Sequence, residues 1–548
     1  MTNSATRDIS LAWRALRERG PSNVQFWFIA LAIGIVAGCG ALVFRIAISA
    51  LQELLYGADA KDLTSTIRSL PVYLVIGIPI TGGLVVGIIL SVFTRDKRAH
   101  SVADVIHGAA LGNGRVNVRE GIASAIASLI TLSTGGSTGR EGPVVHMAAS
   151  LSSWVSDRLR ADGITARDLM GCAVAAAVSA SFNAPIAGAL FALEVVLRHF
   201  AVHAFAPIVI ASVAGTVVSR LQMGNVTEFV LPTHELSFYI ELPAFLAMGA
   251  ICGLVAFVLM RGIFLAEDIG DRVQRATRMP NWLRPAVAGG LLGVIALWFP
   301  HIIGVGYETT SDALTSGLLF REAVIFAVLK VIAVAITFAG RMGGGVFSPS
   351  LMIGALTGLA FGIVATSIFP SVSGSEGLYA LAGMGAVAAA VLGAPISTTL
   401  IVFELTGDWV AGIAVMVSVS LASALSARLV HRSFFLTQLE RRGLPMAKGP
   451  QDYVLTTINV GRIMCPMGGD RSPGVGQCAD LLEQGAGLDI AETLQSALPK
   501  IEASGLDFLP VTRANENATP ELLGVVFLTD ALRAYNRALA EVAKEEHS

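Results

Sequence analysis

The chain is poor in charge. Asp, Glu, Lys and Arg make up 14% of its 548 residues, against about 25% in an ordinary soluble domain. A soluble enzyme of one to three domains does not fit that figure. Neither sign is in excess, because 38 basic and 40 acidic side chains leave a net charge of −2. That balance lacks the basic surface of a nucleic-acid-binding protein and the charge of a disordered chain. Cysteine is scarce too. Cys39, Cys172, Cys252, Cys465 and Cys478 form no CxxC pair, and three of them lie in apolar stretches. Neither a disulfide framework nor a thiolate metal site is expected. No HExxH and no Walker loop occurs, and no enzyme is expected.

Apolar residues are abundant, at 54%, with a mean hydropathy of +0.68. This composition predicts a polytopic helical membrane protein. Glycine is also frequent, with 57 residues, as expected where membrane helices approach backbone to backbone.

Charge density divides the chain. The 117 residues from 432 onward carry 26 charged side chains, and the first 431 carry 52. A membrane domain therefore precedes a soluble tail. The expected divisions are an N-terminal segment 1–24, a membrane domain 25–443, a linker 444–455 and a tail domain 456–548. Residues Asp8–Arg19 read as a short amphipathic helix, without the pattern of a cleaved signal peptide. Eight uncharged runs follow, from Phe26–Phe44 to Trp409–Ala427. Several are too long for one span or are interrupted by Gly and Pro, as in Leu169–Leu193, Met342–Ser375 and Gly377–Phe403. They predict broken helices whose ends meet inside the protein, where irregular backbone is tolerated. The basic residues near the N-terminus, at Arg95, Lys97 and Arg98, and after the last run place both termini on the cytoplasmic side. A bacterial inner membrane is the expected location.

The chain also repeats itself. Phe182-Asn183-Ala184-Pro185-Ile186 through Leu193-Glu194 aligns with Leu392-Gly393-Ala394-Pro395-Ile396 through Phe403-Glu404 at an offset of 210. Upstream, Gly139-Arg140-Glu141-Gly142-Pro143 aligns with Gly345-Val346-Phe347-Ser348-Pro349 at an offset of 206. Two elements in the same order at nearly one offset imply two structural halves with a site between them. Each of the four prolines precedes an apolar helical run and suits a first helical position. A helix that begins inside the membrane offers free N–H groups and a positive dipole end. That suits an anion without burying a Lys or Arg.

These residues resemble a known family. The two Gly-x-x-x-Pro elements resemble the GREGP and GxFxP signatures of the CLC family of chloride channels and chloride/proton exchangers. Phe182-Asn183-Ala184-Pro185 and Glu404-Leu405-Thr406-Gly407 are similar to that family as well. The resemblance covers roughly residues 25–443. It implies an all-α polytopic membrane domain of two inverted repeats of tilted, broken helices, assembled as a homodimer among membrane lipids, with one anion pathway per subunit. It implies Glu141 as a gating carboxylate, which blocks the anion path when charged and swings aside when protonated or displaced. Arg140 and Gly142 belong to the same anion-binding loop, and the backbone amides of Val346 and Phe347 would face the anion. The family's first anion motif is replaced here by Ala99-His100-Ser101-Val102-Ala103-Asp104. His100 falls where the anion-contacting serine is expected, unless Ser101 takes that role one residue on. Phe435 stands for the family's central tyrosine and lacks its hydroxyl. Glu194 reads as structural, and the position after it, an acid in many exchangers, is Val195, which cannot carry a proton. This favours a passive voltage- or pH-gated chloride channel, with a chloride/proton antiporter as the alternative.

Residues Thr456–Tyr535 resemble one CBS module, a small cytoplasmic α/β domain. Ile458–Met464 would open the module, Asp489–Leu498 would form a helix, and strands at Leu509-Pro510-Val511 and Gly524–Phe527 would lead into a helix starting near Leu528. Such modules can bind an adenine nucleotide, which would meet Asp530, although Phe527 replaces the usual hydroxyl, and a structural or dimer-stabilising role is the expectation for this tail. No other cofactor and no metal is expected, and chloride is the expected transported ligand.

Overall fold

The computed structural model describes residues 23–57, 62–198, 200, 202–224, 239–370, 373–406, 409–444, 455, 458–469, 471–483, 486–490, 492–515 and 518–547. The expected helix at Asp8–Arg19 and most of the expected linker lie outside them. The chain forms two compact units, one of residues 1–200 with 204–442 and the other of 201–203 with 443–548.

The larger unit is helical. Its helices are α1 (Asn23–Tyr56), α2 (Leu63–Ile67), α3 (Val72–Phe93), α4 (Val102–Ala110), α5 (Val118–Ser133), α6 (Glu141–Leu159), α7 (Gly163–Phe182), α8 (Pro185–Phe191), α9 (Val202–Met223), α10 (Leu242–Thr277), α11 (Arg284–Ala296), α12 (Tyr307–Leu314), α13 (Phe320–Ala339), α14 (Phe347–Ile368), α15 (Glu376–Leu392), α16 (Pro395–Thr406), α17 (Trp409–Val430) and α18 (Phe434–Arg441). Among the described residues, eight helices are long and apolar enough to cross a membrane.

The long uncharged runs break where their local chemistry directs. Leu169–Leu193 is not one span. α7 ends at Phe182, Asn183 turns to a left-handed φ of 58°, and Pro185 opens α8. The second half does the same, with Gly393 at a φ of 69° between α15 and α16. In both halves the residue before proline is disfavoured in the helical region, so the helix restarts at the proline instead of running on. α8 then finishes in a wider π-type turn at Ala192–Leu197.

Small residues let the helices meet closely. α14 and α15 touch at Gly354 and Gly383, where a Cβ on either would lie 2.4–2.5 Å from the other's carbonyl oxygen. Such an approach is open only to glycine. The interior is dense with Ala and Gly, and α15 is buried along its whole length. By contrast Phe28, Val43, Tyr73 and Val92 on α1 and α3 are exposed, as suits a lipid-facing surface.

The smaller unit contains α19 (Val460–Ile463), α20 (Val475–Glu483), α21 (Leu494–Ser504) and α22 (Leu528–His547). Its strands are β1 (Cys465–Pro466), β2 (Leu488–Asp489), β3 (Phe508–Asn515) and β4 (Ala518–Phe527), in the order β1-β4-β3-β2. β3 and β4 are antiparallel, and β2 is parallel to β3. Val460, Leu494, Ile501, Leu509, Val511 and Val526 form its core. The expected strands and the helix start at Leu528 occur as read. The expected helix over Asp489–Leu498 is corrected. Asp489 pairs with Thr512 in the sheet, and the helix begins only at Leu494, after Thr493. The edge-strand pairing overrides the local helical pattern there.

Candidate functional site

The two Gly-x-x-x-Pro elements, 206 residues apart, meet. Gly139 N–H donates to the Gly345 carbonyl at 2.7 Å, and Gly345 N–H returns a bond to the Gly139 carbonyl at 2.8 Å. This two-bond bridge fixes the start of α6 against the start of α14. Glycine is needed where the backbones close in, because a Cβ on Gly345 would lie 2.9 Å from Gly142 N. Gly344 turns the chain into this bridge with a φ of 138°, a conformation that strains any other residue.

A cavity of about 10 Å³ lies at this junction, roughly the room of a single water-sized particle. Its wall includes Ser101 and Val102 from the start of α4, Glu141 and Gly142 from the start of α6, and Val346 and Phe347 at the start of α14. Three helix N-termini thus face one pocket, each carrying about half a positive charge and free amides. Phe191, Phe338, Phe434 and Phe435 line the rest of it. The pocket therefore pairs positive backbone dipoles with apolar rings, a setting for a dehydrated anion without a buried cationic side chain.

Glu141 forms part of the pocket wall. It is 3% exposed, and its Oε1 accepts a hydrogen bond from the Ser348 hydroxyl at 2.6 Å. The carboxylate lies at the amino ends of α6 and α14. Ser348 sits at a variable position of its motif, so only its place inside the motif marked it.

The pocket adjoins a cavity of about 400 Å³, with which it shares Ser101, Phe338 and Gly344. Arg98, Arg284, Arg341, Arg441 and Arg442 line that cavity, against the carboxylates Asp96, Glu267 and Asp271. The arginine excess raises the local concentration of anions at the pocket's mouth.

The anticipated site residues divide into two sets. Glu141, Gly142, Ser101, Val346, Phe347 and Phe435 all line the pocket. His100 and Arg140 are not among its walls. The His100 ring turns to carboxylates instead, with Nε2 3.1 Å from Asp96 and Nδ1 3.4 Å from Asp104. Its exposure is low, and burial works against its charge. The hydrogen bonds that the ring donates to Asp104 and Asp96 outweigh that and raise its pKa to about 9. Burial likewise opposes the charge of Asp96, but His100 and Arg98 hold its pKa down at about 2. The Arg140 guanidinium donates to the Ser181 carbonyl at 3.2 Å and lies over the Tyr307 ring. Its Nε is 3.9 Å from Glu141, outside hydrogen-bond reach.

Glu194 and Val195 stand apart from the pocket. The Glu194 carboxylate accepts from the amides of Ile396 and Ser397, and Val195 is buried. In the smaller unit, Asp530 is held by Arg471 at 3.2 Å. Phe338, Phe191 and Phe434 escaped sequence reasoning. Phe434 neighbours the expected Phe435, but nothing local marks the other two.

This arrangement defines a membrane protein built around an anion pocket between two helical halves. Residues 82–427 match the family described as voltage gated chloride channel, and the chain belongs to that CLC family. A ClcB-like protein of Ralstonia nicotianae is 31% identical over 382 residues, covering 69% of this chain and 88% of the relative. A protein of Vibrio cholerae named as an H(+)/Cl(−) exchange transporter, ClcA, is 29% identical over 320 residues, covering 58% and 68%. Among solved structures, a slow cyanobacterial Cl−/H+ antiporter superposes with a TM-score of 0.67 at 20% identity, over 76% of this chain and 97% of the other. A eukaryotic CLC transporter superposes at 0.66 and 18% identity, over 92% and 97%. The polytopic helical fold is thus that of the family, and chloride is the ion that it transports.

Proposed function

We propose that the chain exchanges chloride for protons through the pocket at Glu141. The observation that carries this reading is the Glu141 carboxylate itself, buried at the N-termini of α6 and α14 and bonded to Ser348. Charged, it competes with chloride for the same amides. Protonation removes its attraction to those dipoles, so it leaves and chloride moves in. One side chain then handles both ions. The relatives named as exchange transporters favour exchange over the passive channel that the sequence suggested.

The channel reading keeps one observation in its favour, Val195, which cannot hand a proton inward. In the exchanger reading, protons reach Glu141 by another route. Termini on the cytoplasmic side of a bacterial inner membrane fit the basic residues at Arg95, Lys97, Arg98 and after α17. A homodimer rests on the family resemblance alone. The tail is a CBS-like module with a structural role in this reading, because Arg471 already engages the Asp530 carboxylate that a nucleotide would need.

Reconstitution into liposomes with a chloride gradient tests the proposal. External chloride and pH are recorded together. Chloride flux should drive protons against their own gradient and collapse it only with an added protonophore. Chloride flux without any proton movement would overturn exchange and restore the channel.

A further inference from the structure

Two separate helices share one part of the pocket wall. Ser101 belongs to the start of α4, and Phe434 and Phe435 begin α18. One carboxylate joins them. Asp104 Oδ2 accepts the Ser101 N–H at 2.9 Å, and Asp104 Oδ1 accepts Arg442 Nη1 at 2.8 Å. Arg442 is the residue just after α18. The pair is sheltered, with 9% of the Arg442 side chain and 16% of the Asp104 side chain exposed. A second ion pair, Arg441 with Asp268 of α10, ties the same helix end and is more exposed.

We infer that Asp104 and Arg442 form a latch that sets the width of the pocket's mouth. Asp104 pulls Ser101 into its cap position and draws the end of α18 toward it, which presses Phe434 and Phe435 against the pocket. Neither residue lines the small pocket, so both are positioning residues there, although Arg442 also lines the arginine-rich cavity that adjoins it. The latch also places a charged pair beside the arginine-lined cavity, where a partial release widens the approach for chloride. Losing Asp104 leaves the sheltered Arg442 without this carboxylate, a larger disturbance than losing an exposed pair, whereas losing Arg442 leaves Asp104 facing His100 at 3.4 Å. The inference rests on the chloride pathway proposed above, but not on proton coupling.

Arg442→Gln and Asp104→Asn in the full-length protein test it. Each should raise chloride efflux from liposomes about fivefold and weaken chloride binding to the detergent-solubilised protein by a similar factor, the scale of one lost hydrogen bond. In an exchanger, protons moved per chloride should fall as well. Asp104→Glu, which keeps a carboxylate for both Ser101 and Arg442, should recover most of the wild-type rate and affinity. Asp268→Asn, which breaks the neighbouring pair, should leave both near wild type. Size-exclusion profiles and thermal unfolding separate misfolded variants from loosened ones. Unchanged efflux and affinity in well-folded single variants would overturn the latch, as would an Asp104→Glu variant no better than Asp104→Asn. If the wild type moves chloride but no protons, the exchange reading fails while efflux and affinity still decide the latch.

Discussion

Glu194 and Glu404 cap each other's helices. The Glu194 carboxylate accepts from Ile396 N at 3.0 Å and Ser397 N at 2.8 Å, at the start of α16. The Glu404 carboxylate accepts from Ile186 N at 3.0 Å and Ala187 N at 2.8 Å, at the start of α8. Each repeat therefore ends in an acid that satisfies the first free amides of the other. The arrangement explains why both copies close on Glu. Carboxylates at a helix N-terminus gain from the dipole as well as the bonds. Glu194→Ala or Glu404→Ala should each cost about 1–3 kcal/mol of stability. Thermal unfolding in detergent should show it as a lowered midpoint, with chloride affinity kept. A midpoint equal to wild type in both variants would show that the reciprocal caps contribute nothing.

Glu141→Gln should make chloride flux insensitive to external pH. The amide has the size of the acid but cannot ionise, so it no longer competes with chloride as an anion. Ser348→Ala acts on the same side chain from outside. Removing the hydroxyl loses a hydrogen bond to a carboxylate, about 1.5–3 kcal/mol, so Glu141 should leave its position more readily and flux at high pH should rise. Flux against pH in proteoliposomes reads both. A Glu141→Gln variant with the pH dependence of the wild type would end the gating assignment.

Phe435→Tyr should tighten chloride binding. Phe435 lines the pocket and is buried, so a para hydroxyl there places a donor at the anion. A neutral donor contributes about 1 kcal/mol, or roughly fivefold in affinity. Calorimetric titration of the purified protein with chloride checks this. Weaker binding would mean that the hydroxyl points elsewhere or overfills a pocket this small.

His100 should make the loop before α4 pH-sensitive. Asp96, Asp104 and Glu120 face it, together with His146, whose ring centroid is 5.7 Å away. Its folded pKa of about 9 stands above the usual 6.5. The charged His100 therefore stabilises the fold fully below pH 6.5, and that contribution fades as pH rises through 9. The whole effect is on the order of a few kcal/mol at most. Hydrogen exchange of residues 95–104 should quicken between pH 7 and 9.5 relative to the intrinsic rate, and His100→Gln should remove the change. Identical protection across that range in both proteins would contradict it.

Much of the site was legible because its parts are local. Proline and glycine dictate where a helix can begin, so the starts at Pro185 and Pro395 and the helix-start elements around Pro143 and Pro349 follow from a few residues each. The recurrence of those elements in order revealed two halves before any contact was known. Side-chain direction was not legible. His100 and Ser101 are neighbours, and a one-residue choice decides which one faces the pocket. Asp96 and Asp104 settle it by holding the imidazole away from the pocket. Phe338 and Phe191 carry no motif, and their place on the wall depends on helices that pack from distant parts of the chain.

The amino-acid sequence alone set the membrane character, the broken helices and the acids that end both repeats, because hydropathy and backbone preference act within a few residues. Only the tertiary structure decided which ends meet. The Gly139–Gly345 bridge, the crossed caps of Glu194 and Glu404 and the Asp104–Arg442 pair each join residues more than 200 positions apart. Such pairings depend on how whole helices fill space against one another, and that geometry is a property of the packed chain.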